Sequence, residues 1–125
     1  GLAPREIGIV TPYRAQGRSL RNALRSALGP QAAREVVADT VERMQGQERE
    51  LVIVSLASGD AVFLAAVAGF LFQPQRLNVA ITRARSKLIV IGPEPARLPQ
   101  HEHAEVQRWI EQYADFAGQL ARVPL

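Results

Sequence analysis

The sequence predicts a layered α/β domain on a mainly parallel sheet, and three observations predict it. Short apolar, β-branched runs alternate with segments of helical spacing. The breaks between them fall at glycine and proline, and no repeat or low-complexity tract interrupts the alternation. At 125 residues, 47% of them hydrophobic, the chain can bury well over half of its unfolded surface, so one domain over residues 1–125 is expected.

The first element is Ile7-Gly8-Ile9-Val10-Thr11, a strand closed by a turn at Thr11-Pro12. A helix is expected over 14–28, with Leu20, Ala23, Leu24 and Ala27 toward the core. Arg14, Arg18, Arg21 and Arg25 recur at i, i+4, i+7 and i+11 as an opposing stripe, and Gly29-Pro30 stops the helix. Residues 35–41 read as a second strand, 42–48 as a polar link containing Gly46, and 51–57 as a near-continuous apolar strand. An apolar helix over 60–72 follows; it is well short of the roughly 20 residues a membrane span requires, and reads as buried or docking. Beyond Gln73-Pro74, a helix over 76–85 carries Arg76, Arg83 and Arg85, with Leu77, Ala80, Ile81 and Ala84 on one face. It feeds a strand over 88–91. Val106, Ile110, Tyr113, Ala117 and Leu120 then repeat at helical spacing, so a last helix over about 101–121 is expected to close one face of the sheet.

Charge and composition narrow the function classes. The net charge is +3, and Lys87 is the only lysine, so arginine carries the basic character. Its planar fork suits phosphate, although arginine enrichment also follows from codon usage alone. The absence of cysteine excludes a disulfide framework and thiolate metal sites, and fits an intracellular, cytoplasmic setting. His101 and His103 are two apart and do not share a helix face, so no metal site is expected. No G-x-S-x-G nucleophile motif and no G-x-x-x-x-G-K-[ST] phosphate loop occurs. The first residues lack a charged start before an apolar core, and the chain opens without methionine almost directly on a strand; an excised piece of a longer protein is expected.

Three patterns remain: Thr11-Pro12-Tyr13-Arg14-Ala15-Gln16 (11–16), Thr40-Val41-Glu42-Arg43-Met44-Gln45-Gly46-Gln47-Glu48 (40–48) and Leu77-Asn78-Val79-Ala80-Ile81-Thr82-Arg83-Ala84-Arg85 (77–85). In this order they resemble motifs IV, V and VI of superfamily 1 helicases, in the form of the Upf1/Dna2-like branch. The resemblance covers about residues 7–92 and implies the second, C-terminal RecA-like domain of a helicase. That is a P-loop-NTPase-like fold without the phosphate loop, which belongs to a missing first domain together with Mg²⁺.

The resemblance also implies roles. Arg83 and Arg14 resemble arginines that reach the ATP γ-phosphate, where charge spreads in the transition state. Tyr13 resembles the aromatic stacked on adenine, and Glu48 the carboxylate that accepts a ribose hydroxyl. Gln45 would contact the nucleotide or relay domain closure, and Gly46 would let the backbone approach the phosphates. Thr40 matches a position on the nucleic-acid backbone. Glu42 departs from the aspartate frequent in the branch; Arg76 and Arg85 would serve a charge network or solvent. The implied partners are single-stranded or duplex DNA or RNA and the first RecA-like domain of the same protein, with no membrane. Tyr13, Arg14, Gly46, Glu48 and Arg83 are expected to converge on one edge of the sheet, since ligands gather at strand carboxyl ends. Two readings compete: a degenerate, non-catalytic helicase-like module that binds nucleic acid or a protein, and an arginine-rich signalling domain of response-regulator type.

Overall fold

A computed structural model of the chain describes residues 2–44, 46–56 and 61–121. Within the span expected to form one domain, two compact units form: Gly1–Ala57 with Arg76–Ile91, and Ser58–Gln75 with Gly92–Leu125.

The first unit is built on four strands, β1 (Ile7–Thr11), β2 (Val37–Thr40), β3 (Arg49–Ser55) and β4 (Ala84–Ile91), in the order β2-β1-β3-β4. All three pairings are parallel, with Ile9 opposite Ala38 and Ile53, and Ile53 opposite Ile89. Parallel neighbours cannot be joined by a tight hairpin, so each of the first three strands is followed by a crossover. From β1 to β2 this is α1 (Arg14–Leu28) and α2 (Pro30–Glu35); from β2 to β3 it includes the single turn α3 (Val41–Met44). The chain reaches β4 through α5 (Pro74–Ile81). Val10, Val52 and Val54 on the two inner strands are buried, and Leu20 and Leu24 of α1 pack on a cluster of Ile9, Val36 and Ala38. β-Branched side chains suit this pleated, enclosed surface. The expected layered α/β architecture is therefore present, and the sheet is parallel throughout the described residues.

Several boundaries and faces differ from the sequence-based expectation. Helix α1 spans the expected residues, but Ala23 and Ala27 are exposed and Gly17 is buried instead. The buried line thus runs Gly17, Leu20, Leu24, which turns Arg21 toward β2, where its Nη1 donates to the Ala38 carbonyl at 2.6 Å. Pro30, read as a stop, opens α2, because a proline in the first helical turn loses no intrahelical hydrogen bond. The polar link curls into α3, whose Val41 and Met44 are buried. Both later strands start early: Arg49 pairs with Ala84, so β3 begins before Leu51 and β4 before Leu88. The arginine-rich helix consequently ends at Ile81, and Ala84 and Arg85 belong to a strand.

In the second unit, α4 (Ala61–Leu71) packs against α6 (Ala104–Gly118). Leu64, Ala68, Leu71 and Phe72 are buried here, as are Val106, Ile110 and Tyr113. The Phe72 and Tyr113 rings lie 5.0 Å apart at 43°, a tilted aromatic pair. The Tyr113 hydroxyl donates to the Pro93 carbonyl at 3.0 Å. No described helix is long and apolar enough to cross a membrane.

Burial raises the Tyr113 pKa from 10.0 to about 12. The fold therefore retains a proton that the unfolded chain loses near pH 10, so this contribution is complete below pH 10 and disappears as pH rises through 12. Denaturant melts of wild type and Tyr113→Phe between pH 9 and 12.5 should show a downward slope in wild type that is shallower in the variant. Equal slopes would contradict the assignment.

Candidate functional site

Tyr13 and Arg14 leave the carboxyl end of β1. Thr11 is buried, and its hydroxyl donates to the Tyr13 carbonyl at 2.9 Å, which pins the turn made by Pro12. Tyr13 then stands as the N-cap of α1 with an extended backbone, and Arg14, the first helical residue, is exposed. Gln16, for which the sequence suggested no role, anchors the same turn: its Nε2 donates to Ser55 Oγ at 2.8 Å, at the carboxyl end of β3. Thr40 ends β2 directly opposite Thr11, and its side chain is buried.

Above this carboxyl edge an ion pair joins Glu42 of α3 to Arg76 of α5. The Arg76 side chain is the more enclosed of the two, at 17% exposure against 58%. Burial raises the Tyr13 phenol pKa, and the positive charge of Arg76 acts on it in the opposite sense. Tyr13, Glu42 and Arg76 therefore form one group, although they come from three separate parts of the sequence. Glu42, the departure from the aspartate of the branch, is long enough to meet a guanidinium here.

The remaining expected residues lie at the other end of the strands. Glu48 immediately precedes β3 and Arg83 immediately precedes β4; the Arg49 amide donates to the Arg83 carbonyl at 2.9 Å, so the two strand starts are stitched together. The segment before β3 is also held internally. Gln47 donates from its amide to the Met44 carbonyl and from its side chain to the Arg43 carbonyl, while Arg49 donates to the Glu48 carbonyl and to Gln47 Oε1. Gly8 of β1 gives this segment its seat: a Cβ there would come within 3.0 Å of Met44 Cε and 3.1 Å of Arg49 Cγ, one at each end of the segment. Gly46 has φ of 79° and Glu48 is exposed, whereas Gln45 lies outside the described residues.

Arg83 is partly buried, with Nε donating to the Val79 carbonyl at 3.1 Å and Nη2 to Thr82 Oγ1 at 3.3 Å. Nearby, Arg85 Nε donates to Glu50 Oε1 at 2.8 Å and the Ser86 hydroxyl donates to the other carboxylate oxygen. The Ser86 hydrogen bond, with that of Arg85, lowers the Glu50 pKa. Arg76 and Arg85 thus both serve charge networks.

The expected convergence on one edge is not found. Tyr13, Arg14 and Thr40 stand at the carboxyl edge, and Gly46, Glu48 and Arg83 at the amino edge. From Arg49 to Ser55 the sheet is roughly 20 Å long at about 3.3 Å per residue. The carboxyl-end rule was applied to residues that precede strands, and a residue just before a parallel strand must lie at its amino end. Among the described residues no group of three His, Cys, Asp or Glu is placed to hold a metal ion.

A family model described as an AAA domain matches residues 1–95. The chain is 35% identical over 104 residues to the regulator of nonsense transcripts 1 homolog of Neurospora crassa, covering 82% of this chain and 9% of that protein. It is 40% identical over 86 residues to helicase sen1 of Schizosaccharomyces pombe, covering 69% and 5%. Against the human DNA replication ATP-dependent helicase/nuclease DNA2 the identity is 36% over 96 residues, covering 77% and 8%. The chain thus spans less than a tenth of the length of these curated relatives.

At Gly46 the constraint is conformational rather than steric, since a Cβ would meet nothing within 4 Å. A left-handed backbone costs an L-residue about 1–2 kcal/mol, less for asparagine. Denaturant unfolding should therefore rank stability as wild type, then Gly46→Asn, then Gly46→Ala; an alanine variant as stable as wild type would contradict the conformation.

Proposed function

Because the chain belongs to the AAA domain family and to the superfamily 1 helicases of the Upf1-like branch, we propose that it is the second RecA-like domain of an ATP-dependent helicase or translocase acting on DNA or RNA. In this reading a first domain of the same protein contributes the phosphate loop and Mg²⁺. This chain closes over the bound ATP from the other side and adds contacts to the nucleic-acid backbone at Thr40.

The observation that carries the reading is the joint between Glu48 and Arg83 at the amino edge, where motifs V and VI meet through the Arg49 amide. A carboxylate and a guanidinium on adjoining strand starts form the half-site a nucleotide held by another domain would meet. Arg83 is the proposed finger on the γ-phosphate, where a guanidinium stabilises charge that develops on the phosphoryl oxygens. Tyr13 and Arg14 reach the same nucleotide if it lies lengthwise along the strands with its base toward the carboxyl edge. Tyr13 then takes the adenine face, and Arg14 beside it serves the base end of the nucleotide rather than the γ-phosphate role that the resemblance implies.

One observation favours the competing, non-catalytic module. The Arg83 guanidinium is already bonded to the Val79 carbonyl and to Thr82 Oγ1, as a purely structural arginine would be. Kinetics separate the two readings. In the full-length protein, Arg83→Lys keeps the charge but loses the fork, and should lower ATP turnover by on the order of 10³ while nucleic-acid binding is retained. Wild-type turnover would make Arg83 structural. The chain alone should release no phosphate from ATP and bind it no better than about millimolar, because a half-site leaves most of the ligand in water. Micromolar affinity in a calorimetric titration would mean that the chain holds a complete site.

A further inference from the structure

Helix α1 carries Arg14, Arg18, Arg21 and Arg25 and no acidic residue over its fifteen positions. Arg21 is committed to the Ala38 carbonyl. Arg14, Arg18 and Arg25 are exposed, and among the described residues none of them enters an ion pair. This contrasts with Arg76 and Arg85 of the same unit, each of which has a glutamate. At about 1.5 Å per residue the three guanidiniums extend along roughly 16 Å of one helix. Ala15, Ser19, Asn22, Ala23 and Ser26 around them are small or polar and exposed. Leu28, in the last turn, is the one large apolar side chain that α1 exposes, too little for the apolar face with which an amphipathic helix enters a lipid interface. The surface also has no aromatic platform for stacking bases.

From this pattern we infer that the outer face of α1 is a track for the phosphate backbone of a nucleic-acid strand, bound without regard to base sequence. Charge complementarity identifies the partner: a polyanion with closely and regularly spaced charges can engage three aligned guanidiniums together, and releases counterions when it does so. The track adjoins the nucleotide half-site at Arg14 and extends beyond it through Arg18 and Arg25, which have no part in that half-site and on which the test rests. The inference stands or falls independently of the role given to Arg83.

The test is salt-dependent binding of a fluorescent oligothymidylate to the purified chain, followed by anisotropy. Three variants are compared with wild type: Arg18→Gln/Arg25→Gln, the control Arg97→Gln/Arg108→Gln, which removes the same charge from exposed sites in the second unit, and Arg21→Gln. Glutamine keeps helix propensity, and circular dichroism confirms folding. Each single-strand phosphate contact contributes about 0.7 to the slope of log K against log salt, so the α1 double variant should lower that slope by about 1.4. The control should leave it unchanged, and Arg21→Gln should lower the melting temperature while leaving the slope near that of wild type. An oligocytidylate should bind as the oligothymidylate does. Equal losses in the control would mean binding by net charge alone and would overturn the track. So would an unchanged slope in the α1 variant, tighter binding to acidic lipid vesicles than to the strand, or a strong base preference.

Discussion

The structure of the first unit depends on parallel pairing around β3. This strand bonds to β1 on one side and β4 on the other, with Val52 and Val54 buried between them. Because every neighbour is parallel, every connection must carry the chain from the carboxyl edge back to the amino edge before the next strand can begin. Residues just after a strand and residues just before one are thereby separated by the full length of the sheet. The three helicase motifs divide along this line. Motif IV leaves the end of β1, motif V starts at the end of β2 and finishes before β3, and motif VI runs into the start of β4. Motif V thus connects the two edges, held to the carboxyl edge by Glu42 on Arg76 and seated at the amino edge over Gly8.

Arginine suits this architecture for a physical reason. The guanidinium presents several donors in a plane and stays charged, so one residue type can meet a carboxylate, a main-chain carbonyl or a phosphate. Arg76 and Arg85 meet carboxylates, while Arg21 and Arg83 meet main-chain carbonyls of a strand and of a helix end. Arg14, Arg18 and Arg25 remain exposed on α1. In the sequence these residues look alike, and only the register of the strands and the rotation of α1 assign them.

Much of the first unit was legible. The bounds of β1 and α1 follow from an apolar run, a turn proline and a helix-stopping glycine, all of them local signals. The motifs themselves were legible as a resemblance, and the family comparison agrees with it. The features that were missed are non-local. Nothing in Ala84-Arg85-Ser86-Lys87 favours a strand; these residues join β4 because Arg49 and Leu51 offer a partner. The Glu42–Arg76 and Glu50–Arg85 pairs close over more than thirty residues and have no sequence periodicity to reveal them. Gly29-Pro30 ends α1 as expected, but the start of α2 at Pro30 was not legible, because the same residue that ends a helix from within begins one at its first turn.

The account's central claim is that the amino edge, where Glu48 and Arg83 adjoin, faces the reacting end of ATP. A crystal structure of the full-length protein with a non-hydrolysable ATP analogue tests it most directly. The account predicts the γ-phosphate within hydrogen-bond distance of the Arg83 guanidinium, with the adenine toward Tyr13. A nucleotide whose phosphates lie at the carboxyl edge, with Arg83 still bonded to Val79 and Thr82, would contradict it.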